Sequence, residues 1–167
     1  MSEAFIIDAV RTPVGKRDGG LSKAHPADLG AHVIKALVER TKIDPAAVDD
    51  VVFGCVDAIG PQAGDIARTC WLCAGYTEDV PGTTVDRQCG SSQQAVHFAA
   101  QGVMSGTQDL VVAGPVGLDV GHAVGDVVQP RAAAGQEAAD RGVGRERPQQ
   151  LDVARAHVEQ DRLDALL

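Results

Sequence analysis

The first 114 residues alternate between two spacings of apolar positions. Short apolar runs, which are typical of strands, are separated by stretches in which apolar residues recur every three or four positions, as on one face of a helix. The predicted strands are residues 4–9, 49–56, 82–87 and 109–113, and the predicted helices are residues 26–40, 65–75 and 91–105. Because strands and helices alternate, the pattern predicts an α/β fold with a mostly parallel sheet and helices on both faces.

Two details of this pattern predict which residues are buried. The first strand, residues 4–9, is a short apolar run with β-branched residues, and we expect it to be a buried strand. In the first helix, Pro26 followed by Asp28 is the chemistry expected of a helix start. The apolar positions predicted to share the inner face of this helix are Leu29, Val33, Ala36 and Leu37.

Composition limits the kind of protein this can be. The 167 residues suffice for one domain with a core and are too few for two large domains. The formal net charge of −8 argues against nucleic acid or an anionic membrane as a partner. The sequence has no apolar run long enough to span a membrane, and no charged N-terminal segment followed by an apolar stretch. We therefore expect a cytoplasmic protein that binds neither nucleic acid nor membrane.

The four cysteines, Cys55, Cys70, Cys73 and Cys89, are expected to be free thiols in a cytoplasmic chain. The spacing of Cys70 and Cys73 also occurs in redox and zinc sites. A tetrahedral zinc site needs four ligands, however, and the sequence has no second Cys-x-x-Cys and no His pair to complete one. We therefore predict that both are small buried residues of an amphipathic helix, and we predict no metal site.

Cys89 is the candidate for covalent chemistry. It follows the strand predicted at 82–87 and precedes the helix predicted at 91–105, so a helix begins within two residues of the thiol. Free backbone N–H groups and the positive end of a helix dipole favour the thiolate, the form that attacks a carbonyl carbon. Gly90 and Ser91 are small and leave room for a substrate. From the residues alone, the alternative is a buried structural cysteine at the end of a strand.

The segment Cys-Gly-Ser-Ser at residues 89–92, followed by a helix, resembles the acyl-enzyme signature of thiolases, the acetyl-CoA acyltransferases. The resemblance extends to Ala-Val-Arg-Thr-Pro-Val-Gly-Lys at 9–16, the strand at 51–54, Asp-Ile-Ala-Arg at 65–68 and Gly-Thr-Gln-Asp-Leu-Val-Val-Ala-Gly at 106–114. Together these segments cover residues 3–114 in the order and at the spacing of the family.

The resemblance implies the N-terminal portion of a layered αβα thiolase fold, with Cys89 as the catalytic nucleophile. In thiolases the cysteine attacks the 3-keto carbon of a 3-oxoacyl-CoA, acetyl-CoA leaves, and coenzyme A takes the shortened acyl group. Acyl-CoA and coenzyme A are thus the expected partners, with coenzyme A a co-substrate and not a bound cofactor. The family also implies a transferase of lipid metabolism, acting in β-oxidation of fatty acids or sterol side chains, that assembles as a homo-oligomer, either a dimer or a tetramer.

Later parts of the family pattern are missing from this sequence. It has no Gly-His-Pro motif, no Cys-x-Gly-Gly-Gly segment and no recognisable loop that grips coenzyme A, so no cofactor-binding residue is assigned. We therefore expect residues 1–114 to be a truncated thiolase domain that is inactive by itself. Two alternatives remain: a non-catalytic interaction module that pairs with a full-length thiolase, and a ketosynthase-like condensing enzyme. The Arg-Thr-Pro and Cys-Gly-Ser-Ser segments favour thiolase over ketosynthase.

Residues 115–167 belong to a stretch of unusual composition. From Gln108 to Leu167 only ten residue types occur, those available from codons that begin with G or C, whereas the other ten types fill about 30% of earlier positions. Their chance absence from the tail would be on the order of a few in a billion. In a GC-rich gene, a frameshift turns the usual G or C of the third codon position into the first. We hypothesise that the tail is translated out of frame and is poorly ordered; a natural low-complexity tail is the alternative.

Sequencing the DNA around codons 113–116 tests this hypothesis. We expect a one-base insertion or two-base deletion there, with a thiolase-like sequence resuming in the other frame. An unbroken reading frame that ends at the same short length in close relatives would contradict the frameshift.

Overall fold

A computed structural model describes residues 3–16, 18–116, 118–119, 122–123 and 126–132. The described helices are α1 (Pro26–Thr41), α2 (Ile66–Cys73) and α3 (Ser91–Ser105). The described strands are β1 (Ala4–Arg11), β2 (Asp50–Gly54), β3 (Gly82–Val85), β4 (Val111–Pro115), β5 (Leu118–Asp119), β6 (His122–Ala123) and β7 (Asp126–Ala132). All seven elements predicted within the first 114 residues are present, and their ends differ from the prediction by at most two residues.

Five of these strands form one sheet in the order β1-β7-β4-β2-β3. Strand β2 pairs in parallel with both β3 and β4, whereas β7 pairs antiparallel with β1 and with β4. Four strands of this sheet therefore point in one direction and β7 points the other way. The predicted α/β class with a mostly parallel sheet is confirmed, but the antiparallel strand between β1 and β4 was not anticipated.

Strand β7 and the short β5–β6 pair lie within residues 115–167, the segment predicted to be an out-of-frame tail. Residues 133–167 lie outside the described residues, so the predicted boundary at 114 and the poor order of the tail stay predictions. The buried core does extend past that boundary, since Val116 is part of it.

The core consists of two clusters, one on each face of the sheet. Val51 and Phe53 of β2 point toward α1 and α2, where the largest buried side chain is Trp71. Val52, the residue between them, joins Ala95, Ala99 and Val103 of α3, because successive side chains of a strand point to opposite faces. Helices thus cover both faces of the sheet, as predicted. No helix in the described part of the chain is long and apolar enough to cross a membrane.

Helix α1 begins and ends as its sequence predicts, but its buried face is displaced from the one that the apolar positions predicted. The His25 Nδ1 atom accepts from the Ala27 amide at 3.2 Å, and Lys42 ends the helix in the left-handed conformation with φ 58°. The fully buried positions centre on Ile34 and include the predicted Val33 and Leu37. The other two predicted positions, Leu29 and Ala36, are only half-buried.

The prediction of a buried first strand is wrong. Strand β1 is present, but Phe5, Ile6 and Ile7 are exposed. The strand lies at the edge of the sheet, and the buried residues of α1 and α3 pack mainly against the central strands. Apolar periodicity identified the strand correctly but carries no information about which parts of the chain cover it.

The end of β2 and the start of α3 are in direct backbone contact at Gly54. A Cβ atom added at Gly54 would overlap the backbone of Ser91 and Ser92. The carbonyl of Gly54 also accepts from the amide of Val116 at 2.9 Å, which attaches the chain after β4 to the same point. Glycine at this position therefore fixes how closely α3 approaches the sheet.

We expect Gly54→Ala to lower the free energy of unfolding by about 3 kcal/mol or more, because the added methyl group meets backbone and not a movable side chain. Gly20→Ala is the matched control, since a Cβ added there meets no atom within 4 Å. We expect the control to change stability by less than about 0.5 kcal/mol. Equal losses for the two variants in urea unfolding would contradict the close contact.

Candidate active site

Cys89 lies at the edge of the sheet where the parallel strands β2, β3 and β4 end. Strand β3 pairs with β2 up to Gly54 and Val85, and the Cys55 amide then donates to the Val85 carbonyl at 3.0 Å. From there the chain turns through Asp86 to Gly90 and enters α3. In α/β sheets, ligands bind at this carboxyl-terminal edge of the strands. The predicted candidate residue therefore lies where the fold class favours a binding site.

A tight turn presents Cys89 to solvent. Gln88 adopts the left-handed conformation with φ 51°, and the Gly90 amide donates to the Arg87 carbonyl at 3.1 Å. The Asp86 carboxylate accepts from the Gln88 amide at 2.9 Å. The side chain of Cys89 is exposed as a free thiol. The alternative of a buried structural cysteine at this position is therefore wrong.

The hydroxyl group of Ser91 holds this turn together. Its Oγ atom accepts from the Arg87 amide at 2.8 Å and donates to the Gln88 carbonyl at 2.7 Å. Ser91 is itself only 2% exposed. The two hydrogen bonds are partly buried, and they fix the two residues that precede Cys89.

Helix α3 begins directly after the thiol, with Gly90 as its N-cap residue. Because glycine has no side chain, no side chain caps the first helical turn, and the Ser91 amide donates instead to the Gln88 carbonyl at 3.1 Å. The Gln94 amide donates to the Gly90 carbonyl at 2.9 Å, and the Arg87 guanidinium group donates to the Gln94 side chain. The positive end of the helix thus lies next to Cys89, as the sequence predicts, and can stabilise an oxyanion there.

A second cysteine at the same edge has a different environment. Cys55, which directly follows β2, is buried, and this burial together with the nearby Asp86 and Asp57 raises the pKa of its thiol. The adjoining loop is braced by Gln62, whose Nε2 atom donates to the Val56 and Asp57 carbonyls at 3.2 and 2.8 Å. Cys55 therefore forms a thiolate less readily than an ordinary cysteine.

The Cys70 and Cys73 pair on α2 divides into one buried and one exposed residue. Burial raises the pKa of Cys70 to about 12. Its sulfur lies against Gly30 of α1, where an added Cβ atom would overlap it. Cys73 is exposed, so the prediction that both residues are buried is wrong for Cys73. Among the described residues, no group of three or more His, Cys, Asp or Glu side chains could hold a metal ion.

Sequence reasoning identified Cys89 but missed the two polar residues that shape its surroundings. Ser91 was singled out for its small size, although its buried hydroxyl group makes two hydrogen bonds to the turn before Cys89. Its position within Cys-Gly-Ser-Ser was the available signal. No local pattern marks Gln62, which is buried and whose side chain donates to the Val56 and Asp57 carbonyls.

The matched family is the thiolase N-terminal domain, over residues 4–119. A steroid 3-ketoacyl-CoA thiolase, FadA6, from Mycobacterium tuberculosis is 68% identical over 116 residues, which are 70% of this chain and 28% of that protein. A β-ketoadipyl-CoA thiolase from Acinetobacter baylyi is 44% identical over 117 residues, which are 70% of this chain and 29% of that protein.

A solved structure, the acetyl-CoA acetyltransferase of Bacillus anthracis, matches with a TM-score of 0.65 and 36% identity. The match covers 69% of this chain and 29% of that one. The chain therefore spans less than a third of the length of these relatives, and the shared part includes every residue of the site described above.

We expect Ser91→Ala to lower the free energy of unfolding by about 1–3 kcal/mol, because it leaves the Arg87 amide and the Gln88 carbonyl without their buried partner. The matched control is Ser92→Ala, at a half-buried neighbour whose hydroxyl group makes no hydrogen bond within the described residues. We expect the control to change stability by less than about 0.5 kcal/mol in chemical denaturation. Losses of the same size would contradict a special role for Ser91.

Proposed function

This chain belongs to the thiolase family, and we propose that Cys89 is its acyl-accepting nucleophile in the thiolytic cleavage of a 3-oxoacyl-CoA. The observation that carries the proposal is the exposed Cys89 thiol, which lies in a hydrogen-bonded turn between β3 and the start of α3. It lies in a segment that is 68% identical to a steroid 3-ketoacyl-CoA thiolase. The thiol is accessible to a substrate, and the helix start provides N–H groups beside it.

The proposed reaction has two steps. The Cys89 thiolate attacks the 3-keto carbon, a carbon–sulfur bond forms, and the bond between carbons 2 and 3 breaks. The electron pair of that bond leaves as the enolate of acetyl-CoA, which takes up a proton. In the second step the thiol of coenzyme A attacks the acyl-cysteine thioester, releases the shortened acyl-CoA and restores Cys89.

Only part of this chemistry is available from the described residues. The thiol of Cys89 provides a nucleophile, and the positive end of α3 favours an oxyanion beside it. Thiolysis also needs a base for the cysteine and an acid for the enolate. The later histidine and cysteine motifs of the family do not occur in this sequence. We therefore propose that the chain by itself has little or no thiolase activity.

For the substrate, we propose a 3-oxoacyl-CoA that arises in fatty acid or sterol side-chain degradation. The support is the name of the 68% identical relative, which is a steroid 3-ketoacyl-CoA thiolase. Relatives at 41–44% identity include thiolases that act on β-ketoadipyl-CoA, so the family name alone does not select the acyl group. Sequence identity over the matched segment favours the steroid class.

A chimera that supplies the remaining part of a thiolase tests the role of Cys89 independently of the motifs that this chain lacks. Residues 4–119 replace the matched segment of the 68% identical relative, which supplies the remaining part of a full-length thiolase. We expect the chimera to cleave 3-oxoacyl-CoA in the presence of coenzyme A. Cys89→Ser should lower the rate about 10³-fold or more, whereas Cys73→Ser, at the other exposed cysteine, should leave it unchanged.

The isolated chain is measured in the same assay, which follows the cleavage of 3-oxoacyl-CoA in the presence of coenzyme A. We expect its rate to be at least 10²- to 10³-fold below that of the chimera, since the loss of a single oxyanion donor already costs about that much. A folded chimera that is inactive, or an active one that is insensitive to Cys89→Ser, would contradict the proposed nucleophile. An equal rate for the isolated chain would contradict its proposed inactivity.

A further inference from the structure

Gln94 places a buried polar side chain near the start of α3. It is only 9% exposed. Its side-chain oxygen, Oε1, accepts from the guanidinium group of Arg87, which lies seven positions earlier in the turn before Cys89. Because a buried polar group is costly unless it is hydrogen-bonded, the side chain of Gln94 depends on Arg87 at this position.

Arg87 is attached to the start of α3 by both its backbone and its side chain. Its amide donates to the Ser91 hydroxyl at 2.8 Å, and its carbonyl accepts from the Gly90 amide at 3.1 Å. Its guanidinium group donates to Gln94. All three partners belong to the N-cap or the first four residues of α3. Arg87 therefore joins the chain just before Cys89 to the helix that begins just after it.

Other contacts hold α3 against the sheet. The backbone contact at Gly54 fixes the start of the helix, and Ala95 and Ala99 are fully buried in the core. Arg87 is exposed and takes no part in that core. Within the described part of the chain, neither the Arg87 nor the Gln94 side chain forms another hydrogen bond or an ion pair. Their hydrogen bond therefore restrains the turn more than it stabilises the helix.

We propose that Arg87 and Gln94 are positioning residues for Cys89, and that the hydrogen bond between their side chains holds the sulfur at the start of α3. The proposal rests on the proposed function, in which Cys89 is the nucleophile. A nucleophile must meet the 3-keto carbon at a defined distance and angle, and a small displacement lowers the rate steeply. Ser91 fixes only the backbone of the turn, whereas the Arg87–Gln94 bond adds a second connection through side chains.

The first test measures kcat and KM of the active chimera after Arg87→Met or Gln94→Met, which remove the donor or the acceptor and keep a long side chain. We expect each variant to lower kcat about 10- to 100-fold, because the nucleophile is displaced. KM should change by less than about threefold, since the binding of the ground state is not altered. The double variant should match the more impaired single variant, because the first substitution already breaks the pair.

Two further variants separate positioning from a general effect on the fold. Gln94→Glu keeps an oxygen acceptor for the guanidinium group, so we expect its kcat to stay within about threefold of the unaltered chimera. Arg40→Met is the matched control, since it removes an arginine that pairs with Asp8 at 3.0 Å, away from the turn. We expect it to change kcat by less than about twofold.

A second readout needs no catalysis and uses the full chain with Cys73→Ser, in which Cys89 is the only exposed cysteine that remains. Iodoacetamide alkylates this thiol, and mass spectrometry follows the reaction. We expect Arg87→Met and Gln94→Met to slow the alkylation of Cys89 by the same factor, about threefold or more, because the sulfur is held less closely to the positive end of α3, which favours a thiolate.

In an active chimera the values of kcat decide. An unchanged kcat, losses that multiply in the double variant, a loss of equal size for Arg40→Met, or a Gln94→Glu variant as impaired as Gln94→Met would each overturn the proposal. Urea unfolding identifies any variant that fails to fold. Arg87→Lys then replaces Arg87→Met, and we expect it to lower kcat at least about threefold, because lysine lacks the planar fork of arginine.

A folded chimera that is inactive, or that is insensitive to Cys89→Ser, would contradict the proposed function. The alkylation rates then decide the positioning proposal, and rates that Arg87→Met and Gln94→Met leave unchanged would overturn it. The two proposals can therefore fail separately.

Discussion

The site depends on one backbone contact, between Gly54 at the end of β2 and the first residues of α3. Through it strand β2, the helix that follows Cys89 and the chain after β4 meet at one point, since the Gly54 carbonyl also accepts from Val116. The hydroxyl of Ser91 then fixes the turn in front of the helix. These two constraints together hold the turn in which Cys89 is exposed.

The two cysteines at this edge of the sheet illustrate how burial separates residues of the same type. Cys55 and Cys89 follow neighbouring parallel strands. Cys55 points into the core and is kept neutral by desolvation and by nearby carboxylates, whereas Cys89 is carried outward by a left-handed residue before it. Their different exposure therefore follows from the local backbone geometry after each strand and not from the strand order.

Much of the fold could be predicted from the sequence because the periodicity of apolar residues identified each helix and strand of the first 114 residues. The exposure of β1 could not, since Phe5, Ile6 and Ile7 are equally apolar whether or not another part of the chain covers them. The antiparallel strand β7 could not be predicted either, because composition gave no strand signal there. At the site, Cys89 was identified from its motif, whereas the hydrogen bonds of Ser91 depend on a turn conformation that the sequence does not specify.

The packing of Cys70 against Gly30 has a kinetic consequence. The sulfur fills the space between α1 and α2 so closely that not even a methyl group fits at Gly30, and no reagent can reach the thiol while the two helices are together. Chemical modification of Cys70 therefore requires a local opening of the fold. At a reagent concentration high enough for opening to limit the reaction, the rate of modification equals the rate at which this part of the fold opens.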